Sequence, residues 1–229
     1  NQAVEHLFRV SASLDSMILG EAQILGQVKD AYSTARASSS TGLVLNQLFE
    51  KAFNVAKKVR EETGISERGV SISSAAVELA KKIFEDLENH SVMLVGTGEM
   101  AELAAKHLIS YGVKTVYVAS RTYERAVSLA QTLNGCALSF EAFKEELYRA
   151  DIVITSTAAP NFIISKELIE HAIHKRKNKP IFLIDIAVPR DIAPEVNDLE
   201  NVYLYDIDDL QNVVNANIEE RQKEAENAM

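Results

Sequence analysis

Apolar residues recur at helical spacing through the first third of the chain. From Glu21 to Ala37 they fall at Ile24, Val28, Ala31, Tyr32 and Ala35, and from Leu43 to Glu62 at Leu45, Leu48, Phe49, Ala52, Val55, Ala56 and Val59. Each set fits one face of a helix. Ser38 to Gly42 separates the two as a loop, and Gly64 stands where a left-handed C-terminal cap belongs. The first 65 residues thus read as helical, with no strand signal. A third amphipathic helix, expected from Ile72 to Leu87, turns Ala76, Leu79, Ala80, Ile83, Phe84 and Leu87 inward.

After Asn89 the period changes. Val92 to Val95 is a short apolar run, followed at once by Gly96-Thr97-Gly98 and a helical pattern to Ile109; Thr115 to Ala119 is the next β-branched run. Strand, tight turn, helix and strand in about 30 residues make one βαβ unit. The alternation continues with a helix from Tyr123 to Leu133, a strand at Cys136 to Leu138 and a helix around Phe140 to Tyr148. Strands follow at Ile152 to Thr155, Ile181 to Ile186 and Val202 to Tyr205, with a helix from Lys166 to His174 after the first of these. Six such runs predict an α/β fold with a doubly wound, Rossmann-type parallel sheet. From Asp206 onward only helix formers appear, with a thin apolar stripe at Ile207, Leu210, Val213, Val214 and Ile218. The expected organisation is a helical part over 1–70, a dinucleotide-binding domain over 71–210 and the start of a long helix over 211–229.

Gly96-x-Gly98-x-x-Ala101 gains meaning from its place between a strand and a helix. There the first glycine permits a tight turn, the second lets backbone approach a pyrophosphate, and Ala101 allows close helix-to-strand packing. The amides of Glu99 and Met100 open the helix, whose N-terminus favours anions. The plain alternative is a glycine turn without a ligand. Where an acid would receive the ribose hydroxyls of NAD, this chain has Ser120-Arg121-Thr122. A guanidinium flanked by hydroxyls suits a 2′-phosphate, so the expected cofactor is NADPH; otherwise Thr122 is a helix N-cap and Arg121 a solvated side chain. Thr155, Ser156 and Thr157 leave the fourth strand at its carboxyl end, on the side where ligands bind, although an ordinary Ser/Thr/Pro loop explains them too. The stretch from Asp185 to Asp191 plays the same part after the fifth strand, although an acid there and Arg190 could pair with each other and simply hold the loop.

Charge narrows the classes further. Lys+Arg 24 against Asp+Glu 33 leaves a net charge of −9, which disfavours a general nucleic-acid binder and confines any RNA contact to a local basic patch. Lys175-Arg176-Lys177 is such a cluster, although complementing a helix C-terminus explains it equally; His171 and His174 read as part of the same solvated helix end. One cysteine and no metal-ligand spacing suit a reducing compartment, so a cytoplasmic location and no metal are expected. No apolar run approaches the ~18 residues of a bilayer span. The chain opens Asn1-Gln2-Ala3-Val4 without an initiator methionine and closes in a helix-compatible stretch, as a segment of a longer protein would.

His6-Leu7-Phe8-Arg9-Val10, Leu14-Asp15-Ser16-Met17 and Gly20-Glu21-x-Gln23-Ile24-Leu25-Gly26-Gln27-Val28-Lys29 resemble the signature of the glutamyl-tRNA reductases. Gly96-x-Gly98-Glu99-Met100, the stretch from Asp185 to Asp191 and the stretch from Tyr205 to Leu210 continue the likeness along nearly the whole chain. The resemblance implies attack of a cysteine thiolate on the ester of glutamyl-tRNA, then hydride reduction of the thioester to glutamate-1-semialdehyde, the first step toward 5-aminolevulinate and tetrapyrroles. It carries a catalytic role to His6, glutamate-pocket roles to Ser16, Glu21, Ala22, Gln23 and Gln27, and NADPH binding to the glycine turn, to Ser120 to Thr122 and to Thr155 to Thr157. It also implies a homodimer built on the long C-terminal helix and hand-over to glutamate-1-semialdehyde aminomutase. The family's nucleophile sits in a Thr-Cys-Asn-Arg motif that this sequence does not contain. Cys136 reads instead as a small structural hydrophobe. Without the resemblance, His6 would pass for a surface or capping histidine and the glutamines for helix-start polars. Two competing classes are a shikimate-dehydrogenase-like enzyme, which needs a Lys/Asp pair in a preceding α/β domain, and a nonenzymatic NADP-binding module.

Overall fold

The computed structural model describes residues 2–15, 22–63 and 68–216, those at 22, 23, 68–71 and 74 by backbone only. The chain divides into two units, Asn1–Ser71 and Ile72–Met229.

Among its described residues the first unit is entirely helical: α1 (Gln2–Ser11), α2 (Ala22–Ala37), α3 (Leu43–Glu62) and the opening of α4 (Arg68–Phe84). Only part of the periodic face becomes its interior: Tyr32, Ala52 and Ala56 are buried, whereas Ala31 and Leu45 are exposed and the buried Leu25 lies off the expected face. Ala12, Leu25 and Ala56 are buried, with Phe53 and Val59 packed against them. Tyr32 stacks on Phe49 with ring centroids 4.9 Å apart and donates its hydroxyl to Asn46 Oδ1 at 3.1 Å, so its polar end is satisfied. Gly64 lies outside the described residues.

Among its described residues the second unit is built on six parallel strands, β1 (Ser91–Val95), β2 (Thr115–Ser120), β3 (Cys136–Ser139), β4 (Ile152–Thr155), β5 (Ile181–Asp185) and β6 (Val202–Asp206), in the order β3-β2-β1-β4-β5-β6. Helices α5 (Glu99–Ser110), α6 (Tyr123–Thr132), α7 (Ala142–Glu146) and α8 (Lys166–Lys175) lie between successive strands. β1, β4 and β5 are buried along their whole length, whereas Cys136, Tyr203 and their neighbours on the outer strands are more open. That gradient explains the apolar runs: central strands of a parallel sheet are covered on both faces and carry no alternation. The expected α/β doubly wound architecture is the one found.

Element ends differ from the periodic reading for local reasons. α4 stops at Phe84 because Glu85 takes a left-handed conformation, φ 63°. Leu87 lies beyond the helix yet is 2% exposed, which is why the apolar signal ran past the helix. The helix expected around Phe140 to Tyr148 is α7 followed by a 3-10 turn at Leu147–Arg149. The chain is helical again over 207–216, where Leu210 and Val214 are buried; Ile218 lies outside the described residues.

Candidate functional site

Strand order reverses between β1 and β4, whose carboxyl ends meet in register at Val95 and Thr155. Crevices of open α/β sheets form at such a point. One wall is the turn at Gly96 to Gly98. Gly96 has φ 107°, and a Cβ there would strike the Ser156 carbonyl; a Cβ on Gly98 would strike Ser156 Oγ. The ladder runs one residue further on each side, with Gly96 N donating to the Ala119 carbonyl at 2.8 Å and Ser156 N to that of Val95 at 2.9 Å. Gly98, in extended conformation and without a side-chain cap, precedes α5. The first helical acceptance is by its carbonyl, from Glu102 N at 3.0 Å. The amides of residues 99–101 therefore open the helix as anion donors.

The other wall is held by two buried carboxylates. Asp185, at the end of β5, accepts from Thr155 Oγ1 at 3.0 Å and from the amides of Ala187, Asp191 and Ile192 at 3.1, 2.9 and 2.9 Å. Asp191 accepts from both the amide and the hydroxyl of Thr157, the amide at 2.8 Å. Burial pushes the carboxyl groups of Asp185 and Asp191 above the usual aspartate range, against the hydrogen bonds that favour their charge. At Asp191 repulsion from Asp185 adds to the rise, and the Arg121 guanidinium opposes it.

These contacts revise several expectations. Thr155 is fully buried and its hydroxyl is committed to Asp185, so it does not line the crevice through that group. Thr157 is half-buried, binds Asp191 and accepts from Ala159 N, whereas the hydroxyl of Ser156 stands against Gly98 of the turn. Asp185 does not pair with Arg190; Arg190 reaches Asp206 and, at 3.7 Å, Asp208, because the backbone amides around Asp191 claim the Asp185 oxygens first. The sequence signal for this brace was present, since a buried Asp at a strand end followed by a Pro-containing loop needs amide donors, but the periodic pattern does not reveal its partners.

At the exit of β2, Ser120 is half-buried while Arg121 and Thr122 are exposed. Thr122 occupies the N-cap position of α6 without a side-chain cap bond, so its hydroxyl is not spent on the helix. Thr97 and Met100 are half-buried, Glu99 exposed and Ala101 buried against the sheet side of α5. Cys136 is exposed, contrary to its reading as a small hydrophobe, because it opens the outer strand β3. It pairs with Tyr117, three residues before the Ser120–Ser139 pair at the crevice end, or ~10 Å away. Arg176 is not part of a solvated cluster: it is 7% exposed and its guanidinium binds the carbonyls of Tyr148, Ala150, Lys179 and Pro180 and the Asp151 carboxylate.

In the helical unit His6 is exposed on α1 with Nδ1 3.2 Å from Asp15 Oδ2. Gln27 is exposed on α2, Ala22 and Gln23 start that helix, and Ser16 and Glu21 lie outside the described residues. Asp15 is a neighbour of His6 that the sequence reading assigned no role. Among the described residues no cluster of His, Cys, Asp or Glu could hold a metal ion, and no helix is long and apolar enough to cross a membrane.

Residues 1–63 match the glutamyl-tRNA reductase N-terminal domain family, and residues 78–213, more than half the chain, match the shikimate/quinate 5-dehydrogenase family. The chain is 57% identical over 226 residues to a glutamyl-tRNA reductase of Geotalea uraniireducens, covering 99% of this chain and 52% of that protein. It is 54% identical over 228 residues to one from Thermodesulfovibrio yellowstonii, covering 100% and 53%. The solved glutamyl-tRNA reductase of Methanopyrus kandleri superposes with a TM-score of 0.65 at 46% identity, over 98% of this chain and 57% of that one. The chain spans about half the length of the curated relatives it matches. Dehydrogenase folds of this kind imply a nicotinamide cofactor, and the side-chain-free cradle at Gly96 and Gly98 beneath the α5 amides fits its pyrophosphate. A reductase-type helical unit joined to a dehydrogenase-type nucleotide domain, with identity running through both, places the chain in the glutamyl-tRNA reductase family.

Proposed function

We propose that this chain forms the hydride-donating part of an NADPH-dependent glutamyl-tRNA reductase that yields glutamate-1-semialdehyde. The observation that carries this reading is Arg121, standing at the exit of β2 beside a glycine cradle, in a chain whose first 63 residues match the reductase N-terminal domain. An acid at that exit would hold the two ribose hydroxyls of NAD and repel a 2′-phosphate; an arginine with Ser120 and Thr122 beside it does the reverse. The nicotinamide cofactor supplies the hydride. Gly96 to Ala101 hold its pyrophosphate, and Ser156 and Thr157 form the wall along which it lies.

His6 serves the acyl group, exchanging a proton or polarising its oxygen, while Ser16, Glu21, Ala22, Gln23 and Gln27 bind the glutamyl moiety. The thiolate belongs to the family's Thr-Cys-Asn-Arg motif rather than to Cys136, which lies at the wrong end of β3. A homodimer, cytoplasmic location and delivery of the aldehyde to glutamate-1-semialdehyde aminomutase complete the proposal.

A shikimate-dehydrogenase-like activity is the second reading, favoured by the match over residues 78–213. It needs a substrate-binding α/β domain ahead of the nucleotide domain, whereas the described residues there are helical. Labelled glutamyl-tRNA and NADPH, incubated with this chain and with a form extended to include the Thr-Cys-Asn-Arg segment, test the choice. Aldehyde should form only with the extended form. NADPH-dependent turnover of a shikimate-type substrate, with none of glutamyl-tRNA, would reverse it.

A further inference from the structure

The way α1 ends decides what stands beside His6. Ala12 N donates to the Phe8 carbonyl at 3.0 Å, Ser13 N to that of Val10 at 2.9 Å, and Leu14 N to that of Arg9 at 2.8 Å. Ser13 is left-handed, φ 58°. A left-handed residue followed by a 6→1 bond reverses the chain at a helix end. Glycine usually fills that position, and a serine there needs outside support. Arg60, from α3, donates through Nη2 to Ser13 Oγ at 2.9 Å, and Ser13 is fully buried. The reversed chain carries Asp15 back against α1, with Oδ2 3.2 Å from His6 Nδ1.

We propose that Asp15 is a positioning residue for His6, fixing the proton of the neutral ring on Nδ1 and leaving Nε2 as the atom offered to a ligand. This rests on the reading of His6 as the group that serves the acyl carbon. Which ring nitrogen carries the proton is set by the hydrogen bond the other atom makes. With Nδ1–H given to Asp15, the Nε2 lone pair accepts a proton. Once protonated, Nε2–H donates to negative charge on an acyl oxygen, and the ring keeps one orientation in both states because Nδ1–H is bonded throughout. The side chains are 68% and 50% exposed, so the pair adds little to stability and its effect is orientation.

Nitrogen-15 NMR of histidine-labelled chain, recorded where the ring is neutral, reads the tautomer directly. The expected result is a protonated Nδ1 in the wild type and a proton transferred to Nε2 in Asp15→Ala, with the melting midpoint of the chain little changed. Arg60→Met, which frees the turn without touching either partner, should move the ring signals the same way. In the full-length protein, Asp15→Ala should lower turnover tenfold or more at unchanged KM for NADPH, and should cost nothing further when added to His6→Asn. Ring signals identical in wild type and Asp15→Ala would overturn the proposal. A changed tautomer with undiminished turnover would uphold the placement of the proton and overturn the role given to His6.

Discussion

Ser156, one residue past β4, lies so close to Gly98 of the β1 turn that a Cβ on the glycine would fall on the serine hydroxyl. The second glycine of the turn therefore answers to a protein neighbour as well as to a ligand. Gly98→Ala should remove NADPH binding as measured by titration. Pairing it with Ser156→Gly clears the protein clash and leaves only the approach to the pyrophosphate. Binding restored in the pair would assign the glycine to Ser156, and binding absent from the pair but kept by Ser156→Gly alone would assign it to the phosphate.

Arg121 should separate the two nicotinamide cofactors. A charge-assisted pair with a 2′-phosphate contributes on the order of 1.5 to 3 kcal/mol. Arg121→Ala is expected to weaken NADPH at least tenfold and leave NADH nearly unchanged in parallel titrations; equal losses would exclude the 2′-phosphate as its partner.

The two buried aspartates should respond differently to amide replacement. Asp185 takes four donors, two on each oxygen, so Asp185→Asn turns an NH2 group toward the Ala187 amide even when the side chain is oriented to donate to the Thr155 hydroxyl. Each unsatisfied buried donor costs roughly 1 to 3 kcal/mol, and a clear fall in melting temperature is expected. Asp191→Asn can still accept from Thr157 N and reverse its bond with the Thr157 hydroxyl, so it should be the milder change.

Their titration has a definite sign. Folding raises both groups above the ordinary aspartate value of 3.8, so the folded chain holds these protons more firmly than the unfolded one. The stabilising contribution is complete below 3.8 and is lost as pH climbs through the folded-state values. Melting temperatures followed upward from pH 4 should therefore fall less in Asp191→Asn than in wild type. Parallel curves would show that Asp191 carries no such cost.

Arg176→Ala should destabilise the nucleotide-binding unit by about 3 to 5 kcal/mol, the usual result of breaking a buried ion pair from one side. It removes the donors held by the carbonyls of Tyr148, Ala150 and Pro180 and leaves Asp151 with only the amide and hydroxyl of Ser91. Lys177→Ala, two positions from the same helix end but exposed, should leave the denaturation midpoint within a degree or two of wild type.

Periodicity was enough to read the sheet and its order of elements, because central strands such as Ile181 to Asp185 are apolar on both faces and helices such as Leu43 to Glu62 on one. The glycine turn was legible for the same reason, as its meaning comes from the strand before it and the helix after it. What escaped was every polar side chain whose partner is distant in sequence. Thr155 looked like a lining hydroxyl and is held by Asp185 thirty residues on; Arg176 looked like a solvated cation and is bonded to Asp151. His6 and Asp15 are only nine residues apart, yet their contact depends on a left-handed serine that propensity gives no reason to expect.

The exposed thiol at the start of β3 gives this chain a ready attachment point. With one cysteine in the sequence, a maleimide dye goes to Cys136 alone, on the outer strand and ~10 Å from the crevice end of that strand. A fluorophore there lies within energy-transfer range of a reduced nicotinamide at the crevice, so cofactor arrival and departure become visible in real time on an otherwise unmodified chain.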